Sequence, residues 1–411
     1  MPDEGYLNAR IRGMKTRLLT GSDFDRLLAT PDEAALAAAL SGTQLRPQLD
    51  RALVRQSGAD AVVAAVNADF AAICRKVLSI CEKEQGNLLG AVLRRWDAYN
   101  LKTVLRGKHA TLSPVEIMRA VIPAGEFDTT ALQEMSSQPG VREVIDLLAT
   151  WRSPLAEPLV ETLGAYLFDK SLLRLELALD QAVFAEGLQR TRGPWRNRRL
   201  VRGYLREEID LANIMAKIRL LIDEIDTFVE TPAETKVRLA EEKARLKEER
   251  RREAARLVRP KPPQVIRKRV AERPREERPA PPPIQQSFIP GGLVTGDEHL
   301  VELLRCRTMG ELLRFLAGTS YGRFIGADML ELESIPDLPA LERTLEADLV
   351  RRAALRYRRE PVGTAMAFSF LFMKYAECLD LRVIARGKEF GMPVQVLKGE
   401  MIRALTDGGS H

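Results

Sequence analysis

Apolar residues recur at steps of three and four along most of this chain. Val62, Val66, Phe70, Ile73, Val77 and Ile80 fall on one face of a helix with the 3.6-residue period. Leu159, Leu163, Tyr166, Leu173 and Leu177 draw a second stripe of the same kind. Alternation at period two, bounded by hairpin turns, is scarce. Pro and Gly mostly stand where helices would stop, as in Ser113-Pro114, Ile122-Pro123-Ala124-Gly125 and Ile289-Pro290-Gly291-Gly292. The pattern predicts an all-α protein. Its 411 residues are too many for one core and predict two to three domains of about 100–200 residues each.

Residues 231–287 break the pattern. Glu234 to Val258 is nearly all Ala, Leu and charge, with Glu241–Arg245 and Glu248–Arg252 spaced to support a solvated helix. Arg259-Pro260-Lys261-Pro262-Pro263 and Pro279-Ala280-Pro281-Pro282-Pro283 follow, and such tracts cannot build a core. A charged helix and a Pro-rich flexible insertion are expected there. This segment also explains the net charge of +6. Lys236–Arg278 holds 17 basic and 8 acidic residues, which leaves 46 basic and 49 acidic in the rest. The basic pI therefore describes one segment, and no aromatic residue lies between Thr231 and Gln286 to stack on bases.

Three segments share one motif: an acid, an Asn or Asp three residues on, and an Arg nine residues on. They are Asp97, Asn100 and Arg106; Asp210, Asn213 and Arg219; and Glu377, Asp380 and Arg386. The first and third continue identically, as Arg106-Gly107-Lys108 and Arg386-Gly387-Lys388. Upstream, Asp69, Asp180 and Asp348 precede the three acids by 28, 30 and 29 residues. Thr43, Thr150 and Thr319 precede those aspartates by 26, 30 and 29. The order and spacing predict three similar helical units, at 1–120, 121–230 and 288–411. The step from Arg106 to Pro123 is 17 residues and that from Arg219 to Pro290 is 71, so the charged segment reads as an insertion between the second and third units.

These motifs, with the opening Tyr6-Leu7-Asn8-Ala9-Arg10-Ile11-Arg12-Gly13-Met14-Lys15, resemble the C-subunit family of V/A-type ATPases, which is similar to the eukaryotic V-ATPase d subunit. The resemblance covers nearly the whole chain except the insertion. It implies a funnel of three helical units about a pseudo-threefold axis. It also implies a non-catalytic rotor subunit that couples the central axle to the membrane proteolipid ring for proton or sodium transport. Such a protein sits peripherally on the cytoplasmic face of the membrane.

The residues themselves point to little chemistry. No glycine-rich string leads into Gly-Lys-Ser/Thr, and no Gly-x-Ser-x-Gly is present. His109, His299 and His411 are scattered, and Cys74, Cys81, Cys306 and Cys378 lack zinc-type spacing. Catalytic, cofactor and metal sites are therefore not expected, nor a small-molecule substrate or a specific nucleic acid. Glu207, Glu208 and Asp210 could suggest acid–base work. An acid repeated three times instead suggests a structural anchor held by an Arg. Met1 to Lys15 has no apolar core for a leader, and the runs Ala34–Leu40 and Ala61–Val66 are far short of the ~20 residues that span a bilayer. The alternative function is a helical-repeat scaffold that binds another protein, or RNA through the basic insertion.

Overall fold

The computed structural model describes residues 4–228, 288–359 and 361–402. The charged helix and Pro-rich tract expected at 231–287 lie outside the described residues. Among the described residues the elements are α-helices and short 3₁₀ turns, with no strand. Short helices come first: α1 (Glu4–Lys15), α2 (Gly21–Leu28), α3 (Glu33–Leu40) and α4 (Arg46–Leu53). A pair of long helices follows, α5 (Gly58–Ile80) and α6 (Lys83–His109). The same order returns in α7 (Pro114–Ala120), α8 (Thr129–Ser137), α9 (Val141–Thr150) and α10 (Ala156–Asp169), then α11 (Leu173–Arg190) and α12 (Arg196–Phe228). It returns again in α13 (Asp297–Arg305), α14 (Met309–Ala317) and α15 (Ala327–Leu332), then α16 (Leu338–Leu355) and α17 (Gly363–Glu389), with α18 (Val394–Glu400) last.

Local sequence sets the helix starts. Thr20 and Ser113 close capping boxes with Asp23 and Glu116, while Asp32, Asp128, Thr308 and Asp337 cap α3, α8, α14 and α16 with their side chains. Each cap satisfies a helix N–H that otherwise lacks a partner, for about 0.5–2 kcal/mol.

The stripe from Val62 to Ile80 lies on α5, with Val62, Val66, Phe70 and Val77 buried and Ile73 and Ile80 half-buried. The stripe from Leu159 to Leu177 is not one helix. The chain leaves α10 at Lys170, whose φ of 57° is left-handed, and starts again as α11. The break resets the register. Leu175 and Leu179 point inward, and Leu173 is 71% exposed.

Among the described residues three large apolar cores result, beside a small cluster of Phe184, Ile209 and Ile289. The first joins α1–α5 to α17, to Ala353 and Ala354 of α16, and to the leading parts of α6 (Leu88 to Trp96) and α12 (Leu200 to Leu205). The second gathers α7–α11 around Ala98, Leu101, Val104 and Leu105 of α6. The third gathers α13, α14 and part of α16 around Ile214, Met215, Ile218 and Leu221 of α12. α6 and α12 thus each serve two cores. Where α6, α12 and α17 meet, Trp96 and Tyr375 pack edge to face at 5.2 Å, and Tyr204 packs against Phe372 at 4.7 Å with the rings tilted by 54°. The Arg95 guanidinium lies over Trp96 and donates to the Tyr204 hydroxyl at 2.6 Å while facing Glu208 at 3.0 Å.

Candidate functional site: the repeated acid motif

Asp97 sits where α6 passes from the first core to the second, between Trp96 and Ala98. It has no exposed surface. Its two oxygens accept the backbone N–H groups of Glu126 and Phe127, at 3.0 and 2.9 Å, just before α8. One turn on, Asn100 grips Ile122 by both backbone groups: its Nδ2 donates to the carbonyl at 2.6 Å and its Oδ1 accepts the N–H at 2.7 Å. Pro123 favours this grip. It forces the residue before it into an extended conformation, in which N–H and C=O point the same way.

α12 carries the same arrangement. Asp210 accepts from Val294 N–H at 3.0 Å and from the backbone N–H and hydroxyl of Thr295, both at 2.8 Å. Asn213 donates to the Ile289 carbonyl at 2.8 Å and accepts its N–H at 2.9 Å. On α17, Glu377 accepts from Leu19 N–H at 2.7 Å, just before α2, and Asp380 accepts from Ile402 N–H at 2.7 Å. An aspartate has no N–H to donate, so the carbonyl half of the grip drops out here.

Backbone reaches these carboxylates closely because glycine is present. A Cβ on Gly125 would stand 2.2 Å from Asp97 Oδ1, and one on Gly292 would stand 2.2 Å from Asp210 Oδ1. Both glycines stand in the Ile-Pro-x-Gly strings of the sequence, which do not by themselves reveal this role.

Motif spacing also leaves the counter-ions unmarked. Arg94 lies 3.2 Å from Asp97 and also pairs with Glu126 and Glu186. Burial pushes the Asp97 carboxyl above its ordinary range, opposed by the two N–H groups and Arg94. Lys374 lies between Glu377 and Asp69, the latter at 2.6 Å. Burial pulls its ammonium down, yet Glu377 and Asp69 outweigh this and leave its pKa raised. Asp210 takes its bonds from backbone and hydroxyl. Its neighbours Glu207 and Glu208 turn elsewhere, to Arg352 and Arg356 and to Arg95.

The motif arginines do not meet the motif acids. Arg106 pairs with Glu176 of α11 at 2.6 Å, Arg219 with Glu342 of α16 at 2.7 Å, and Arg386 with Asp60 of α5 at 2.7 Å. Each ties its helix to the long helix beside it. The arginine side chains are 63%, 54% and 44% exposed, so each tie is worth about 0–1 kcal/mol. Asp69, Asp180 and Asp348 pair with Lys374, with Lys102, and with Arg323 and Arg352. Thr43 and Thr319 each bond back three residues and accept an N–H two residues on. Thr150 bonds inside its own helix to Asp146, and Ser153 accepts the corresponding N–H, from Leu155.

The twin Arg-Gly-Lys strings have a packing cause. A Cβ on Gly107 would stand 2.4 Å from Ile117 of α7, and one on Gly387 would stand 2.0 Å from Leu397 of α18. Each glycine seats a short helix on a long one. Gly387→Ala should destabilise the chain by about 1–3 kcal/mol through overpacking. Gly399→Ala, with nothing within 4 Å, should not. Urea midpoints read the difference, and a Gly387→Ala midpoint equal to that of Gly399→Ala would show that α18 is not docked there.

The motif acids are too shielded to meet a substrate, since Asp97, Asp210 and Asp380 have no exposed surface and Glu377 has 1%. Their oxygens hold backbone. His109 contacts the Tyr166 hydroxyl at 3.2 Å. An open cleft of about 610 Å³ at the starts of α6 and α12 is lined by Lys83, Glu84, Glu126, Arg190 and Arg198; within it Arg190 pairs with Glu126 and Arg198 with Glu84. Among the described residues, no three His, Cys, Asp or Glu side chains come together to hold a metal ion.

The A-type ATP synthase C subunit of Methanosarcina mazei is 24% identical over 97% of this chain and 92% of its own length. That of Halorubrum lacusprofundi is 25% identical over 97% of both. The V-type ATP synthase C subunit of Deinococcus radiodurans is 28% identical over 98% of this chain and 92% of its own length. The model of the ATP synthase (C/AC39) subunit family matches residues 7–261 and 270–400. The first stretch runs through residues 231–261, so the family match does not stop at the charged segment as the resemblance drawn from the motifs does. With both stretches together spanning nearly all of the sequence, the chain belongs to the ATP synthase (C/AC39) subunit family.

Proposed function

We propose that this chain is the non-catalytic rotor subunit that couples the central axle to the membrane proteolipid ring of a V/A-type ATPase, lying peripherally on the cytoplasmic face. Three units, 1–120, 121–230 and 288–411, would surround a pseudo-threefold axis, with 231–287 as a connection. One observation carries the reading. α6 holds the backbone ahead of α8, α12 holds that ahead of α13, and α17 returns to hold Leu19 ahead of α2. The last long helix thus grips the start of the chain. A chain closed on itself resists shear, which is what a coupling between two rotating parts requires. Among the described residues no helix is long and apolar enough to cross a membrane, which agrees with peripheral attachment.

Gentle solubilisation of membranes, capture of this chain and mass analysis of what accompanies it test the proposal. Axle and proteolipid subunits should appear in fixed ratio, and the isolated chain should show no saturable micromolar ATP binding by calorimetry. Recovery of unrelated partners alone would support a helical scaffold instead.

A further inference from the structure

The turn between α11 and α12 carries charge that the fold uses only in part: Arg190 pairs with Glu126 and Glu186, Arg198 pairs with Glu84, and Arg196 also has a partner. Arg190–Arg202 contains six arginines and no acid or lysine. Arg192, Trp195, Arg196 and Arg199 are exposed, Trp195 by 68%. Arg196 and Arg199 stand three residues apart on one face of α12, and Arg192 and Trp195 lie in the turn just ahead of it. They also stand at the start of α12, where unpaired helix N–H groups already make the surroundings positive. The side chains of Arg192, Arg199 and Arg202 have no ion-pair partner among the described residues. Just past α16, Arg356, which is paired with Glu207, brings its Nη1 within 4.0 Å of the Cβ position of Gly203, one turn beyond Arg199. Arg358 and Arg359 follow, both exposed.

We propose that this arginine ridge docks an acidic helical segment of a neighbouring subunit, with Trp195 packed at the centre of the contact. The proposal rests on the reading that the chain works inside an ATP synthase complex. Charge complementarity fixes the sign of the partner. The exclusive use of arginine narrows it further: the planar guanidinium is weakly hydrated and grips carboxylates with two parallel bonds, whereas lysine offers a hydrated point charge. Tryptophan beside arginine is the composition that dominates the energy of buried protein interfaces. Lipid phosphates offer related chemistry, but a bilayer contact gains from several apolar side chains, and Trp195 is the one large apolar side chain exposed between Arg190 and Gly203. On α12 the face from Arg196 to Gly203 rises about 10 Å, enough to meet carboxylates on two successive turns of a partner helix.

Photo-crosslinking in the assembled complex tests this. Trp195 is replaced by p-benzoylphenylalanine, the presence of axle and proteolipid subunits is established by mass, and the complex is then irradiated. The adduct should map to a peptide of another subunit with Asp or Glu spaced at three or four residues. Its yield per complex should fall about tenfold or more in an Arg192→Glu/Arg199→Glu background. An adduct on phospholipid, an adduct on a peptide without such acids, or no adduct in an intact complex would each overturn the proposal. Loss of axle and proteolipid before irradiation would instead count against the functional reading above.

Discussion

Lys374→Met should destabilise the chain by about 3–5 kcal/mol, because it leaves Asp69 and Glu377 facing each other in a dry site without their cation. Lys374 is 3% exposed, so water cannot replace it. Methionine keeps most of the volume, so the loss reports charge rather than a cavity. Adding Asp69→Asn should restore part of the deficit by removing one of the stranded carboxylates. The sign of the pH dependence follows from the raised lysine pKa. A raised folded value means that the contribution is complete below the unfolded lysine value and is lost only as pH rises through the folded one. The lysine's own contribution should therefore be constant between about pH 6 and about pH 9. Equilibrium urea unfolding measures it, and a variant within about 1 kcal/mol of the parent would show that the triad contributes no net stability.

Asp210→Ala should cost a similar amount, about 3–5 kcal/mol, for a different reason. It orphans the buried N–H and hydroxyl of Thr295 and the half-buried N–H of Val294, and a buried group left without an acceptor costs about 1–3 kcal/mol. Asp210→Asn keeps one acceptor oxygen and should fall between the parent and Asp210→Ala. Gly292→Ala leaves the carboxylate in place but drives a methyl into it, so it should approach the same loss. Matching midpoints for the parent and Asp210→Ala would mean that the loop ahead of α13 finds other acceptors, and the backbone-clamp account would be wrong.

The sequence shows the positions of these residues more readily than their partners. Acid, Asn/Asp and Arg recur at fixed offsets because α6, α12 and α17 each use the acid to hold backbone and the Arg to reach a neighbouring helix. Their partners leave no mark, because an N–H belongs to almost any residue. Asp210 reaches 84 and 85 residues forward, and Glu377 reaches 358 residues back to Leu19. An acid–Arg pair is the natural expectation for a repeated acid and a repeated Arg. Helix geometry separates them, since nine residues are two and a half turns and place the Arg on the opposite side of its own helix. Spacing also misleads where the backbone resets. The left-handed Lys170 splits the stripe from Leu159 to Leu177, and Ser153 rather than Thr150 accepts the turn N–H before α10. The glycines next to Asp97 and Asp210 stand in the repeated Ile-Pro-x-Gly, and only the structure shows that each admits a close approach of backbone to a carboxylate.

The sharing of α6 and α12 between cores has a mechanical consequence. A joint between bodies needs a few residues whose φ and ψ can change freely. Neither long helix offers one at the crossing, because there the helix is continuous and its acid is bonded to the next group of short helices. Each therefore acts as a beam built into two walls. Twist applied to one core is carried along an intact hydrogen-bonded ladder into the next, and opening one core strips the covering from half of a helix that its neighbour still needs. How far a disturbance spreads is then set by the length of the beam rather than by the strength of any contact between finished domains.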